Sequence, residues 1–358
     1  MPPSCVLVLC AAGGSTVSSV HHGRLRGAMA SVRTVIAADV GGTKVAAALV
    51  RCLWPPAVPP ARTPVELLGR VQVPTDVSSP RACLESIQHA LTEARRFGGA
   101  PDAVGIGLAS LMDYENGVAV DSVHLPLVAV PVRELFGDWC GLPVAVDNDA
   151  TAACLGEYVF GAGVGTRHML MLTLGTGVGG GIVCDGQMYR GCGAAGELGH
   201  VLVDPEGPEC PGKCPNRGCL EAYVSGSAMD AAAMAAAIAD PSSALGRAHH
   251  AGALVDGRYL TAAARAGDPT AVGLVRAMGE RLGLGLVSLV NAFNPELVVV
   301  GGSAAAAGEI LLEPARHVVA GRALRPAREQ VRVVIAALGP DAGLYGAAAL
   351  ALSAPACA

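Results

Sequence analysis

Short apolar runs alternate with glycine-rich bends along the first half of the chain, and stretches with helical spacing dominate the second. Residues 34–50 read strand, bend, strand (VIAADVGGTKVAAALV), with Gly41 and Gly42 at the bend; this is a hairpin signal. The proline-rich stretch 54–64 cannot join a central ladder and is expected as a rim loop between strands. Helical spacing covers 79–97 and a short strand 103–108; a strand at 144–146 then runs into Asp147, Asn148 and Asp149, ahead of a helix over 150–158. A second hairpin follows, with strands over 169–174 and 181–184 joined by the turn GTGVGGG. Laying VIAADVGGTKVAAALV on MLMLTLGTGVGGGIVC matches strand to strand and Gly41 to Gly175. One device is used twice, and two similar lobes are expected. Helices over 228–239 and 271–291, a buried strand over 297–300 ending in Gly301 and Gly302, and a helix of small residues over 344–352 complete the pattern.

Composition narrows the function classes. The 358 residues are 52% hydrophobic, 15% charged and 3% aromatic, enough for a large core in two or three lobes. Twenty-five basic residues stand against thirty acidic ones, for a net charge of −5, with no Lys/Arg cluster. Nucleic acid and membrane are therefore not expected partners. No apolar run reaches the roughly eighteen residues that cross a bilayer, so the chain is expected to be soluble. Most of the twelve cysteines are scattered singly, and only Cys210, Cys214 and Cys219 cluster, which fits a reducing, cytoplasmic compartment. Residues 1–29 carry a short apolar run at 5–12 without a basic flank; they are expected to be a disordered extension, or the product of a start placed upstream of Met29. Lys44 and Lys213 are the two lysines, which is put down to coding bias.

Three constellations carry chemistry. The turns DVGGT and GTGVGGG each offer consecutive backbone N–H groups to phosphate oxygens. The second contains G-x-G-x-x-G at Gly175, Gly177 and Gly180, but it opens a strand and not a helix, which disfavours a dinucleotide site. Either turn alone reads equally well as a plain hairpin; the pair, with Asp39 and Thr43 on the first, favours nucleotide phosphates with Mg²⁺. Second, His200, Cys210, Cys214 and Cys219 form H-x9-C-x3-C-x4-C among turn residues. The set suits tetrahedral zinc in a closed, structural site, the alternative being three buried cysteines beside an unrelated histidine. Third, Asp149 stands at the carboxyl end of a strand, where α/β sheets place ligand crevices and where a carboxylate can orient a hydroxyl for phosphoryl transfer. On local sequence alone, Asp147, Asn148 and Asp149 read as the cap of the next helix.

The ordered set DVGGTK, VDNDATAACLGE, LTLGTGVGGG, GELGH, CPNRGCLEAYVSG and VVVGGS resembles the ROK family of sugar kinases and sugar-responsive repressors, over essentially all of the chain from about residue 33. The resemblance implies an α/β, actin-like (ribonuclease-H-like) two-lobed fold with an interlobe cleft. It implies a small lobe over 30–147 to which 341–358 return, and a large lobe over 148–340 holding the zinc motif. Asp149 would be the catalytic base, with Ser110, Asn148, Glu197, His200 and Glu221 facing the sugar. Asp39, Gly41, Gly42, Thr43, Lys44, Thr176, Gly177, Gly301 and Gly302 would surround ATP and its Mg²⁺, and structural Zn²⁺ would fall to His200, Cys210, Cys214 and Cys219. The implied activity is ATP-dependent phosphorylation of a hexose, glucose to glucose 6-phosphate first, in a homo-oligomer. Phosphorylation of N-acetylmannosamine or fructose is the alternative within the class, and a sugar-sensing repressor the alternative outside it. Three departures stand out: C-x3-C-P-x-x-G-C is two residues longer than the usual C-x-C-G-x-x-G-C, Ser110 replaces a glycine, and His124-Leu125-Pro126 replaces N-L-P.

Overall fold

The computed structural model describes residues 30–55 and 63–353. The extension 1–29 and most of the proline-rich loop lie outside the described residues. The chain opens with β1 (Ser31–Val40), β2 (Lys44–Trp54), β3 (Val65–Pro74), α1 (Pro80–Arg95), β4 (Ala103–Leu108), β5 (Leu111–Asp113), β6 (Val118–Asp121), α2 (Val132–Cys140), β7 (Val144–Asn148) and α3 (Asp149–Phe160). It continues through β8 (Met169–Leu174), β9 (Val178–Cys184), β10 (Gln187–Met188), α4 (Glu221–Val224), α5 (Gly226–Ala239), α6 (Ala244–His250), α7 (Gly257–Arg265) and α8 (Pro269–Phe293). The last elements are β11 (Leu297–Gly301), α9 (Glu309–Arg322), α10 (Ala327–Gln330), β12 (Arg332–Ile335) and α11 (Ala342–Ser353).

Two five-stranded sheets result, ordered β3-β2-β1-β4-β7 and β10-β9-β8-β11-β12. Each is built the same way. An antiparallel meander occupies one side, and two parallel strands, reached by crossovers, occupy the other. The duplication read from the two hairpins thus extends to whole sheets, the two-lobed arrangement of the actin-like fold.

Strand alternation decides what each face holds. On β1, Ile36, Ala38 and Val40 join the core beneath α1, while Val35 and Ala37 join the core beneath α11; Asp39 shares their parity and so emerges on the α11 face. On β8, Leu170, Leu172 and Leu174 face the helices of the large α layer, and Met169 and Met171 face α3. Helix α11 therefore lies on the first sheet, α3 lies on the second, and the two helices pack directly on each other. Their crossing is too close for side chains. A Cβ on Gly346 would collide with the Ala152 carbonyl, and one on Gly156 with the backbone of Ala342 and Gly346.

The glycine run after the second turn is not turn, as the sequence suggested, but strand. Gly179 and Gly181 pair with Thr173 and Met171, and a Cβ there would strike Ala150 and Cys154 of α3. These glycines admit the helix against the sheet. Strand β3 was not read from the sequence, because Leu67, Leu68 and Gly69 interrupt an alternation that otherwise holds on either side, at the point where its pairing with β2 shifts register. Among the described residues, no helix is long and apolar enough to cross a membrane.

Gly346→Ala is expected to lower stability by about 2–3 kcal/mol or more, because backbone atoms on α3 must move. Gly137→Ala, in α2 with open space around its would-be Cβ, should stay within about 1 kcal/mol of wild type, on the stabilising side. Denaturant unfolding of both variants checks the contrast; equal costs would contradict it.

Candidate active site

The Asp147-Asn148-Asp149 run leaves β7 and enters α3, and its three side chains separate by role. Asp147 is buried and receives Arg190 through Nε and Nη2, both at 2.8 Å, while the guanidinium lies 3.7 Å over the Tyr114 ring. Asn148 caps α3: its Oδ1 accepts from Ala150 and Thr151 N–H, both at 3.0 Å, and its Nδ2 donates to the Ser110 carbonyl at 3.3 Å. Asp149, half-buried as Asn148 is, accepts from Ala150 N–H at 2.9 Å. The capping alternative thus holds for Asn148, and it leaves Asp149 free for chemistry.

Asp149 meets other acids there. Burial, then the charge of Asp149, push Asp39 up to about 7 from 3.8, and its carboxylate rests where Gly343 of α11 leaves room. Burial likewise raises Asp149 itself. Glu197, in the loop before His200, is raised by desolvation and by Glu221 and Asp149, against the lowering effect of His200. Asp149 acts on both Asp39 and Glu197, and Glu221 on Glu197, a series of neighbouring carboxylates that favours a bound cation and hydroxyl donors.

Both glycine turns are braced from outside. In the first, Gly41 N–H donates to the Lys44 carbonyl at 3.0 Å, Thr75 Oγ1 donates to the Gly41 carbonyl at 2.7 Å, and Gly42 presses against His124. In the second, the Gly175 carbonyl accepts from Gly226 N–H at 2.6 Å, the Thr176 carbonyl accepts from Ser227 Oγ at 2.9 Å, and Val178 N–H donates to Glu221 at 2.6 Å. Beside this turn opens a cavity of about 440 Å³ lined by Thr176, Ser227, Asp256, Arg258, Arg265 and Ser303, of a size that takes a small cofactor. Gly302, at φ +86°, turns the chain past Leu174 on the way into it.

His200, Cys210, Cys214 and Cys219 bring one ligand atom each to within 4.8 Å of the others. A tetrahedral ion with metal–sulfur bonds of about 2.3 Å sets its sulfurs about 3.8 Å apart. Cys214 and Cys219 are 3.9 Å apart, and Cys210 Sγ is 3.4 Å from His200 Nδ1. The four residues fit a metal ion, and the longer loop does not displace Cys210. The other ring nitrogen, His200 Nε2, lies 3.7 Å from Glu197.

Residues 35–354 match the model of the ROK family. The chain belongs to that family. It is 36% identical over 326 residues to a glucokinase of Streptomyces coelicolor, covering 88% of this chain and 96% of that one. It is 35% identical to an N-acetylmannosamine kinase of Citrobacter koseri, with 89% and 98% covered. The ROK family glucokinase of Streptomyces griseus, solved with glucose and AMPPNP, superposes with a TM-score of 0.78 at 34% identity, covering 90% of this chain and all of that one.

Within this ROK fold, the charge of Asp149 reaches both Asp39 and Glu197, and Glu197 stands beside His200 and within reach of Glu221. Ser110 adjoins Asn148 through its carbonyl, whereas its hydroxyl donates to the Leu111 and Asp121 carbonyls at 3.0 and 2.9 Å. Glu221 accepts from Val178 N–H at the second glycine turn. Ser227, Asp256, Arg258 and Ser303 escaped sequence reasoning. Asp256 carries only a helix-cap signal, its side chain accepting from Tyr259 N–H, and the others carry none.

A pH test follows from Asp39. Its raised value means the native state holds a proton that the unfolded chain releases, so the stabilising contribution of the neutral form is full below 3.8 and is lost as pH rises through about 7. Asp39→Asn stays neutral, so its melting temperature should gain on wild type between pH 5 and pH 8, by roughly 3 °C or more at the higher pH. Melting scans in magnesium-free buffer check it. A constant difference at both pH values would contradict it.

Proposed function

We propose that this chain is an ATP-dependent hexose kinase that transfers the γ-phosphoryl group of ATP to the 6-hydroxyl of glucose. The carrying observation is Asp149: its two neighbours are committed to Arg190 and to the helix cap, and its own charge reaches Asp39 beside the first turn and Glu197 beside His200. The similarity to glucokinases over nearly their full length supports the choice of reaction.

In this reading Asp149 orients the sugar hydroxyl and takes its proton as the O–P bond forms, a late transfer that needs alignment more than a strong base. Glu197 and His200 hold neighbouring sugar hydroxyls, and Asn148 fixes the backbone around the base. The two turns give their N–H groups to the phosphates, and the cavity beside Ser227 and Arg258 receives the nucleoside. Asp39 suits Mg²⁺, because a buried acid held beside another acid gains most from a hard cation. Mg²⁺ when bound neutralises phosphate charge. The His200–Cys210–Cys214–Cys219 set suits Zn²⁺ in a structural role, since four protein ligands leave no open position. His200 then touches Glu197 and Cys219 precedes Glu221 by two residues, so the metal site fixes groups on both sides of the cleft.

A coupled assay across glucose, mannose, fructose, N-acetylglucosamine and N-acetylmannosamine should give the highest kcat/KM with glucose. The N-acetylmannosamine kinase relative makes that sugar the decisive competitor, and a preference for it would overturn the assignment of sugar. Asp149→Asn should lower kcat by about a hundredfold or more with ATP affinity nearly unchanged; wild-type turnover would exclude Asp149 as the base. Cys219→Ser should release stoichiometric zinc and raise KM for sugar more than KM for ATP. Metal analysis with steady-state kinetics checks this, and normal sugar KM in a zinc-free variant would contradict it.

A further inference from the structure

Two ion pairs join the β5–β7 region to loops of the second sheet, and they are of opposite kinds. At the base of the cleft, Asp147 and Arg190 are 5% and 21% exposed and doubly bonded. Separating them strands a buried charge, so this tie is permanent. At the rim, Lys213 Nζ reaches Asp121 Oδ1 and Oδ2 at 3.0 and 3.1 Å and the Ser122 carbonyl at 3.2 Å. Those side chains are 61% and 43% exposed, and water substitutes for such a contact at small cost. The first pair has the character of a hinge pin and the second that of a catch.

The catch sits at a telling place. Lys213 lies between the ligands Cys210 and Cys214, in the stretch that makes this loop two residues longer than the family pattern. Gly212, at φ +74°, brings its backbone against Val123, so close that an added Cβ would stand 3.3 Å from Val123 Cγ1. The receiving segment is anchored under the site: Ser110 Oγ donates to the Asp121 carbonyl at 2.9 Å, and Ser122 Oγ donates to the Ala109 carbonyl at 2.6 Å. His124, two residues on, packs against Gly42 of the first phosphate turn. Asn148 and Asp149 follow the pin directly in the chain, and His200, beside Glu197, shares its ligand cluster with Cys210 and Cys214, which flank the catch.

We propose that Lys213 is the latch that holds the metal loop shut across the sugar site. It is a positioning residue: it touches no reacting atom and acts on retention of the sugar, not on phosphoryl transfer. The proposal rests on the reading of this cleft as a sugar site.

Lys213→Met and Asp121→Asn should each raise KM for glucose about three- to fivefold, the weight of one exposed charged pair, with kcat, KM for ATP and zinc content within twofold of wild type. Lys213→Arg should retain wild-type KM, and the exchanged pair Asp121→Lys with Lys213→Asp should recover most of the loss. Wild-type KM for glucose should climb toward that of Lys213→Met in high salt. An unchanged glucose KM in Lys213→Met, a fall in kcat at constant KM, or loss of zinc would each overturn the latch. If the wild-type chain phosphorylates no sugar, the functional reading falls, and hydrogen exchange of the ligand-free protein still judges the contact. Faster exchange at 119–124 and 208–213 in Lys213→Met supports the latch, and unaltered exchange overturns it.

Discussion

The close crossing of α3 and α11 is the contact on which the rest depends. Each helix belongs to a different sheet, and they approach so near at Gly156 and Gly346 that neither position tolerates a side chain. That approach sets where α3 begins, and the beginning of α3 is the proposed site: Asn148 caps it and Asp149 is its first residue. The same helix, α11, leaves a glycine under the Asp39 carboxylate. Asp39 comes from the first sheet and Asp149 from the helix on the second, so the distance between these two acids is governed by how two small-residue helices meet.

Charge is distributed unevenly around that point. Asp147 has a guanidinium to itself, which works against the rise that burial causes, while burial raises Asp39, Asp149 and Glu197, and the charge of Asp149 adds to the rise at Asp39 and Glu197. An arrangement costly for the ligand-free protein becomes favourable once a cation and hydroxyl donors enter, as expected for a site whose stability is traded against ligand binding. The metal-ligand cluster connects to this field through neighbours, by His200 on Glu197 and by the short path from Cys219 to Glu221 and on to Val178.

The two hairpins, the strand that runs up to Asp149 and the clustering of His200, Cys210, Cys214 and Cys219 were legible in the sequence, because each rests on local spacing or on residue types with few alternative uses. What escaped depends on long-range packing. Gly179 and Gly181 look like turn residues, yet they are strand positions kept bare for Ala150 and Cys154 of a helix some thirty residues earlier. The hydroxyl of Ser110, a position that the resemblance set facing the sugar, donates to the Asp121 carbonyl, a partner that no local pattern shows. Arg258 and Ser303 line one cavity only because α7 and the end of β11 meet beside the second turn. Lys213 reads as compositional accident until Asp121, 92 positions away, is found opposite it.

The central claim is that Asp149 faces the accepting hydroxyl while the nucleoside occupies the cavity beside Ser227. A crystal structure of the chain with glucose and a non-hydrolysable ATP analogue tests it most directly. The account predicts the glucose 6-hydroxyl about 2.6–3.2 Å from an Asp149 carboxylate oxygen and in line with the terminal phosphate, with the base against Ser227 and Arg258. A sugar whose 6-hydroxyl points away from Asp149, or a nucleoside bound outside that cavity, would contradict it.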